Sequence, residues 1–371
     1  MAPSPLQPPE APLYVKPALR SSVGKLSDRM ALATQEFWQL HLSCLYERHG
    51  LQRVYAELFA QQRDAGFVPT WADSIGWCRL HASDASAYWL VSLVEKRSGR
   101  GTGAGRPGLP LGAEVAGVPP DCHLCFWNVL LRQCGVQIPW VTRLGRDPWI
   151  LLASPFPFGA EHATVATREH LSQDWRQGGI AVDDIVAAMV DMTMGLGVGY
   201  MTGWNGYGAA NSLDHCHFHA LRVPLDDELP IQVAARRTGA TGVISVIDDT
   251  TAFPLLAIRF AGQRDDLVAN VARCVKGWHA FVGPDATESL VVVVENGGPV
   301  AFFVPRDRRV ACSHALSTGF GFMEAAAGAL VAGDASDRAP FRSLTFDSVF
   351  QALMALRLRT ASDFVRKTGL V

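Results

Sequence analysis

Residues 212–224 read SLDHCHFHALRVP, placing His215, His217 and His219 at alternate positions with Cys216, Phe218 and Ala220 between and after them. Side chains of an extended strand alternate between faces with a period of two, so this spacing predicts three imidazoles on one face and an apolar row on the other. A helix would turn roughly 200° between successive histidines, at about 100° per residue, and scatter them. A single histidine is most often a surface residue or a satisfied core residue. Three so close together, beside Asp214 and behind a glycine-rich stretch, point to chemistry. Two kinds fit. One is metal ligation by neutral imidazole. The other is nucleophilic attack on phosphorus by an imidazole whose second nitrogen is held by a fixed acceptor. Attack on phosphorus also needs donors for phosphate oxygens. GWNGYGAANS, residues 203–212, offers backbone N–H groups around Gly206 and Gly208, together with Asn205, Asn211 and Ser212.

A second constellation is DCHLC, with Cys122 and Cys125 in a C-x-x-C. Phe126 follows where a c-type haem site needs histidine, and no thioredoxin-like βαβ pattern surrounds the pair. Two readings stay open, a redox pair and half of a zinc site; the zinc site is short of two ligands, for which His162, His170 and His215 are the candidates.

These residues need a frame. The chain has 371 residues, 49% hydrophobic and 18% charged, which suits a large buried core in two lobes. A net charge of -2 demands neither nucleic acid nor an anionic membrane as partner. No uncharged apolar run reaches membrane-spanning length. Eight cysteines without disulfide-scaffold spacing suit a reducing compartment, so a cytoplasmic location is expected. Residues 1–26 read as a flexible Pro-rich tail and 27–65 as helical. Residues 97–120 form a Gly/Pro-rich stretch; it lacks the GK[ST] ending of a phosphate-binding loop. WILLASPFPF and ATVATREH read as short extended segments, and VDDIVAAMVDMTMGLGVGYM as an apolar helix. GWNGYGAANS reads as a loop. Beyond residue 230, GVISVI, PLLAIRF, ESLVVVVEN and PVAFFVPR have strand character. DDLVANVARCVKGWHAFV and SVFQALMALRLRTASDFVRK read as helices, and GFMEAAAGALV as a packing helix. No internal repeat is evident in the residues. The pattern predicts an α+β protein with antiparallel sheets flanked by helices, divided into a catalytic lobe over 27–229 and a second lobe over 230–371.

Four pieces in order, CHLC, SPFPFGAEHATVATREHLSQ, GWNGYGAANSLDHCHFHAL and ESLVVVVENGGPVAFFVPR, resemble the histidine-triad superfamily. The resemblance is to its transferase and phosphorylase branch, which includes galactose-1-phosphate uridylyltransferase, diadenosine tetraphosphate phosphorylase and the GDP-hexose phosphorylases. It spans roughly residues 120–306; no recognised motif covers the first hundred. The resemblance implies two histidine-triad-like lobes and a nucleotidyltransferase or phosphorylase acting through a nucleotidyl-histidine on His217. The carbonyl of His215 would hold its Nδ1–H. It implies a structural zinc on Cys122, Cys125, His170 and His215. Asn205 and Ser212 would contact phosphate or ribose oxygens, with Ser212 and His219 stabilising developing charge. The partners implied are a nucleotide substrate, an NDP-sugar or dinucleoside polyphosphate, and a phosphate or sugar-phosphate acceptor. A homodimer is compatible with this reading. His219 departs from the Gln usual in that branch and matches the hydrolases, which keeps nucleotide hydrolysis as the alternative, beside a non-catalytic zinc- or nucleotide-binding protein. Arg306, in FFVPRDRR with Arg308 and Arg309, is a candidate phosphate contact, although a solvated basic strand end is the simpler reading.

Overall fold

The computed structural model describes residues 26–69, 75–94, 118–119, 122–132, 137–211, 213–224, 228–310, 320–332 and 341–369. The Pro-rich tail to residue 25, most of the 97–120 stretch and Ser212 lie outside them. Helices α1 (Leu26–His49) and α2 (Leu51–Asp64) occupy the stretch expected to be helical. They divide at Gly50, whose φ of 77° a side chain would resist. Strands β1 (Cys78–His81) and β2 (Tyr88–Leu93) and the short helix α3 (Phe126–Arg132) follow. Next come β3 (Trp140–Leu144), β4 (Asp147–Ala153), β5 (Ala163–Thr167), α4 (Val182–Leu196), β6 (Tyr200–Asn205) and β7 (His217–Arg222). Beyond α5 (Pro230–Arg237) lie β8 (Ile244–Ile247), β9 (Ala257–Ala261), α6 (Arg264–Val282), β10 (Ala286–Glu295), β11 (Gly298–Asp307) and β12 (Ala329–Ala332). Two helices, Phe346–Met354 and Arg359–Thr368, divide the last segment.

Nine strands form one antiparallel sheet in the order β3-β4-β5-β7-β6-β10-β11-β9-β8. A smaller sheet has the order β1-β2-β12. The chain is thus α+β, with antiparallel sheet flanked by helices. Although no repeat is legible in the residues, the unit helix–strand–strand occurs twice, as α4-β6-β7 and as α6-β10-β11. The two units meet along β6 and β10, where Trp204 pairs with Leu290. One face of the sheet buries Trp149, Trp204, Phe218, Leu290 and Phe303 against α4 and α6. The other buries Met201, Leu221, Val291 and Phe302 with Phe158, Phe320 and Phe322. Most of this stabilisation is apolar burial, about 1.5–3 kcal/mol for each large side chain removed from water.

Two segments depart from expectation. The first residues of GWNGYGAANS belong to β6 rather than to a loop, and a Cβ on Gly203 would overlap the Phe322 ring. The absence of a side chain serves ring packing there. GFMEAAAGALV is buried as expected, but only Met323–Ala327 is helical, as a single π turn. Gly328 (φ 79°) then turns the chain into β12. Helix α1 also guards the outer edge of β3. Gln35 Nε2 donates to Pro139 O (2.6 Å), and the Gln39 amide takes both the N–H and the C=O of Val141 (2.8 Å each). Edge backbone groups are thereby satisfied by side chains. No described helix is long and apolar enough to cross a membrane.

Candidate active site

Strand β7 carries His217 opposite Ala166 of β5 and His219 opposite Thr164. Cys216, Phe218 and Ala220 are fully buried in the helix-side core, as the alternation predicts. His217 and His219 turn to the other face, where Phe158 and Phe322 flank the His219 ring at centroid distances of 5.7 and 5.5 Å. His215 departs from the expected common face because it lies in a bend before the strand begins. Its Nδ1 comes to 3.2 Å from Cys122 Sγ and 3.6 Å from Cys125 Sγ.

The nitrogens of these rings have separable duties. His217 Nδ1 is 2.6 Å from His215 O, so Nδ1 carries the proton, donates it to the carbonyl and leaves a lone pair on Nε2. His215 Nε2 is 2.8 Å from Thr167 O; that nitrogen donates, and the Nδ1 lone pair faces the thiols. His219 Nδ1 lies 3.0 Å from His162 Nε2. One imidazole must donate and the other accept. Donation from His162 leaves the remaining proton of His219 on Nε2.

Cys122, Cys125, His170 and His215 bring four ligand atoms within 4.8 Å of one another. His170 Nδ1 is 3.3 Å from Cys125 Sγ, whereas His162 is engaged with His219; of the two candidates it is His170 that joins the cluster. Asn128 Nδ2 donates to Pro119 O and Cys122 O, both at 2.7 Å, and so shapes the C-x-x-C turn. Hydrogen bonding from Cys125 outweighs burial and lowers the Cys122 thiol to about 3. It is a thiolate at neutral pH, the form that binds metal. Two soft thiolates with two imidazole nitrogens, one backed by a carbonyl, fit a closed zinc site.

Between β6 and β7 the ladder runs from Tyr200–Arg222 to Gly203–His219. Beyond it, the buried amide of Gln173 fills the gap between the strands. Its Oε1 accepts the His217 N–H (2.9 Å), and its Nε2 donates to Asn205 O (2.6 Å) and His217 O (3.1 Å). Asn205 Oδ1 accepts from Ser289 Oγ (3.4 Å), which orients Nδ2 as the donor end of that amide. Ser289 Oγ in turn accepts from Arg306 Nη1 (3.2 Å), which also donates to Phe320 O (3.1 Å). Arg306 is only 4% exposed, so the solvated strand end is wrong for this residue. It holds for Arg309, whose side chain is 65% exposed and paired with Asp307 and Asp285. The Gly206 N–H is fixed on Glu288 O (2.9 Å), and a Cβ there would overlap the Glu288 carboxylate. Gly208, at φ 86°, donates its N–H to Asn211 Oδ1 (2.7 Å), and Asn211 Nδ2 donates to Leu213 O (3.1 Å). Asn211 is therefore used inside the loop, shaping it. Asp214 Oδ1 accepts from Ser172 Oγ (2.7 Å) and Gln173 N (2.9 Å), tying the loop to the Gln173 segment.

Sequence reasoning missed Gln173, Ser289 and the pairing of His162 with His219. The only signal was for His162, already noted as a spare imidazole in GAEHATVATREH.

No family model matches the chain, and no curated protein matches it. Solved structures do. Yeast Ap4A phosphorylase Apa2 matches with a TM-score of 0.52 at 13% identity, over 84% of this chain and 97% of that one. The same enzyme in complex with Ap4A matches at 0.52 and 15% identity, over 82% and 97%. Its complex with AMP matches at 0.50 and 13%, over 81% and 95%. At these identities the likeness is one of fold, and this chain shares the fold of a nucleotide-processing enzyme over nearly the whole length of that enzyme.

Proposed function

We propose that the protein is a nucleotidyltransferase of the phosphorylase kind, acting on the α-phosphate of a nucleoside diphosphate derivative. The observation that carries this reading is the His217 ring. Its Nδ1–H is bound to His215 O at 2.6 Å while its own backbone is gripped by Gln173, so Nε2 is held as a neutral nucleophile in one tautomer. His217 Nε2 attacks the α-phosphorus, a P–N bond forms, and the P–O bond to the leaving group breaks with its electron pair on oxygen. Phosphate-type leaving groups depart as anions and need no proton. His219 Nε2–H and the Asn205 amide supply donors to the phosphoryl oxygens, and Arg306 steadies Asn205 through Ser289. Ser212 lies beside this loop in sequence and is proposed in the same role. A phosphate or sugar-phosphate oxygen then displaces the nucleotide and restores the imidazole. A zinc ion held by Cys122, Cys125, His170 and His215 would cross-link three segments and fix the His215 carbonyl that orients His217.

The overlap with an Ap4A phosphorylase, described with AMP and with Ap4A, supports a nucleotide-linked substrate such as a dinucleoside polyphosphate. An NDP-sugar is the other donor we propose. The thiolate ligands suit a reducing cytoplasm. The His162–His219 pair favours one second reading, hydrolysis, because imidazole at that position is the hydrolase pattern. Product analysis tests this. With Ap4A or a panel of NDP-sugars, phosphorolysis yields a nucleoside diphosphate whose formation depends on added phosphate. Release of nucleoside monophosphate at a rate indifferent to phosphate would replace phosphorolysis by hydrolysis.

A further inference from the structure

Helix α2 lies in the part of the chain that no motif covers, yet one of its side chains, packed in the helix-side core, reaches the backbone that carries the histidine pair. Tyr55 is fully buried, and its hydroxyl lies 2.5 Å from Glu161 O and 2.9 Å from Ala220 O. Those carbonyls belong to the residue before His162 and the residue after His219. The Tyr55 ring packs edge-on to Tyr200 (5.7 Å, 87°) and against Phe59 (4.9 Å). The Tyr200 hydroxyl donates to Glu161 Oε2 at 2.5 Å. Glu161 itself sits at φ 50°, a left-handed conformation that a non-glycine residue holds only when its surroundings impose it. The strained residue, the two tyrosines and the two carbonyls converge on the point where β5 delivers His162 to His219.

From this geometry we infer that Tyr55 is a positioning residue for the His162–His219 hydrogen bond, and so for the donor that His219 presents to substrate phosphate. The inference rests on the proposed nucleotidyl transfer for its catalytic part only. The single hydroxyl proton is shared between a carbonyl next to His162 and a carbonyl next to His219, joining the two backbones, and the Tyr200–Glu161 bond holds the kinked peptide in its left-handed turn. Burial, and then the nearby Glu161 charge, push the Tyr55 phenol well above its usual range, so it keeps its proton and acts as a fixed donor.

Tyr55→Phe removes the hydroxyl and keeps the ring. Two readouts separate positioning from mere stability. In protein labelled with 15N-histidine, the hydrogen-bonded ring N–H of the pair is identified by its loss in His162→Gln. The inference requires this resonance to broaden or vanish in Tyr55→Phe protein whose melting still shows a folded state. In nucleotidylation with Ap4A, the rate at saturation should fall about 10- to 100-fold while the half-saturating concentration stays within about threefold, the pattern of a misplaced group. Tyr200→Phe, a milder change, should move the rate the same way by about two- to fivefold, and it serves if Tyr55→Phe does not fold. An unchanged resonance overturns the inference whether or not the protein is active, as does an unchanged rate in both variants. Wild-type protein that takes no nucleotide from any donor counts against the proposed function instead, and the resonance still decides the positioning.

Discussion

Gln173 offers the sharpest test of how the backbone holds the nucleophile. Replacing it with leucine keeps the volume and removes three hydrogen bonds: to the His217 N–H, the His217 C=O and the Asn205 C=O. Each buried group left without a partner costs about 1–3 kcal/mol. The full sum is an upper bound, because β6 and β7 can draw together and pair some of the stranded groups directly. A net loss of about 3 kcal/mol is the expectation, read from denaturant titration. That same closure moves the His217 backbone. A displacement near 1 Å at a reacting group costs about 100-fold in rate, so nucleotidylation should fall by at least that factor. Gln173→Glu keeps an acceptor for the His217 N–H but sets an anion against two carbonyls, and it should do no better. A Gln173→Leu protein within about 0.5 kcal/mol and threefold of wild type would refute the argument that this amide holds the site.

Three further outcomes follow from the site and the core. Purified protein should carry about one zinc per chain, and Cys122→Ser should lose the metal and melt at lower temperature while losing less in rate below that melting point; a metal-free variant with unchanged melting contradicts the ligand set. His219→Gln should keep activity within about tenfold, because a side-chain amide can also donate to a phosphate oxygen; complete loss would assign His219 a role that only an imidazole can fill. Among described cysteines, exposed Cys78 should react with a maleimide at pH 8 in the native state. Cys274, which burial raises to about 12, and Cys216, raised further, should react only after unfolding; native labelling of Cys216 would contradict the packing of β7.

Much of the frame was legible because it lies in local patterns. Strands β8 to β11 show as β-branched runs bounded by turns, and the alternation of His217, Phe218 and His219 carries a period of two. The C-x-x-C pair and its candidate histidines could be named because cysteine and histidine are scarce and chemically distinctive, whereas the choice of His170 with His215 came from the family resemblance. What stayed hidden has no local signature. Gln173 is one glutamine in LSQDW, and its importance comes from filling a gap between two strands. The repeated helix–strand–strand unit is masked because equivalent ladder positions carry different chemistry: Gly203 faces His219 across one hairpin, and Ser289 faces Val304 across the other. Arg306 looked like one more charge at a strand end, and only the path of Phe320 over it reveals its burial. Tyr55 and Gly203 act through partners distant in sequence, and no spacing rule encodes such contacts.

The most direct measurement of the central claim is intact-protein mass spectrometry under non-acidic conditions, after incubation with Ap4A and a panel of NDP-sugars without phosphate. A mass gain of one nucleoside monophosphate is expected, absent from His217→Gly and discharged when phosphate or a sugar phosphate is added. Turnover of any of these donors by His217→Gly at near wild-type rate would contradict the claim.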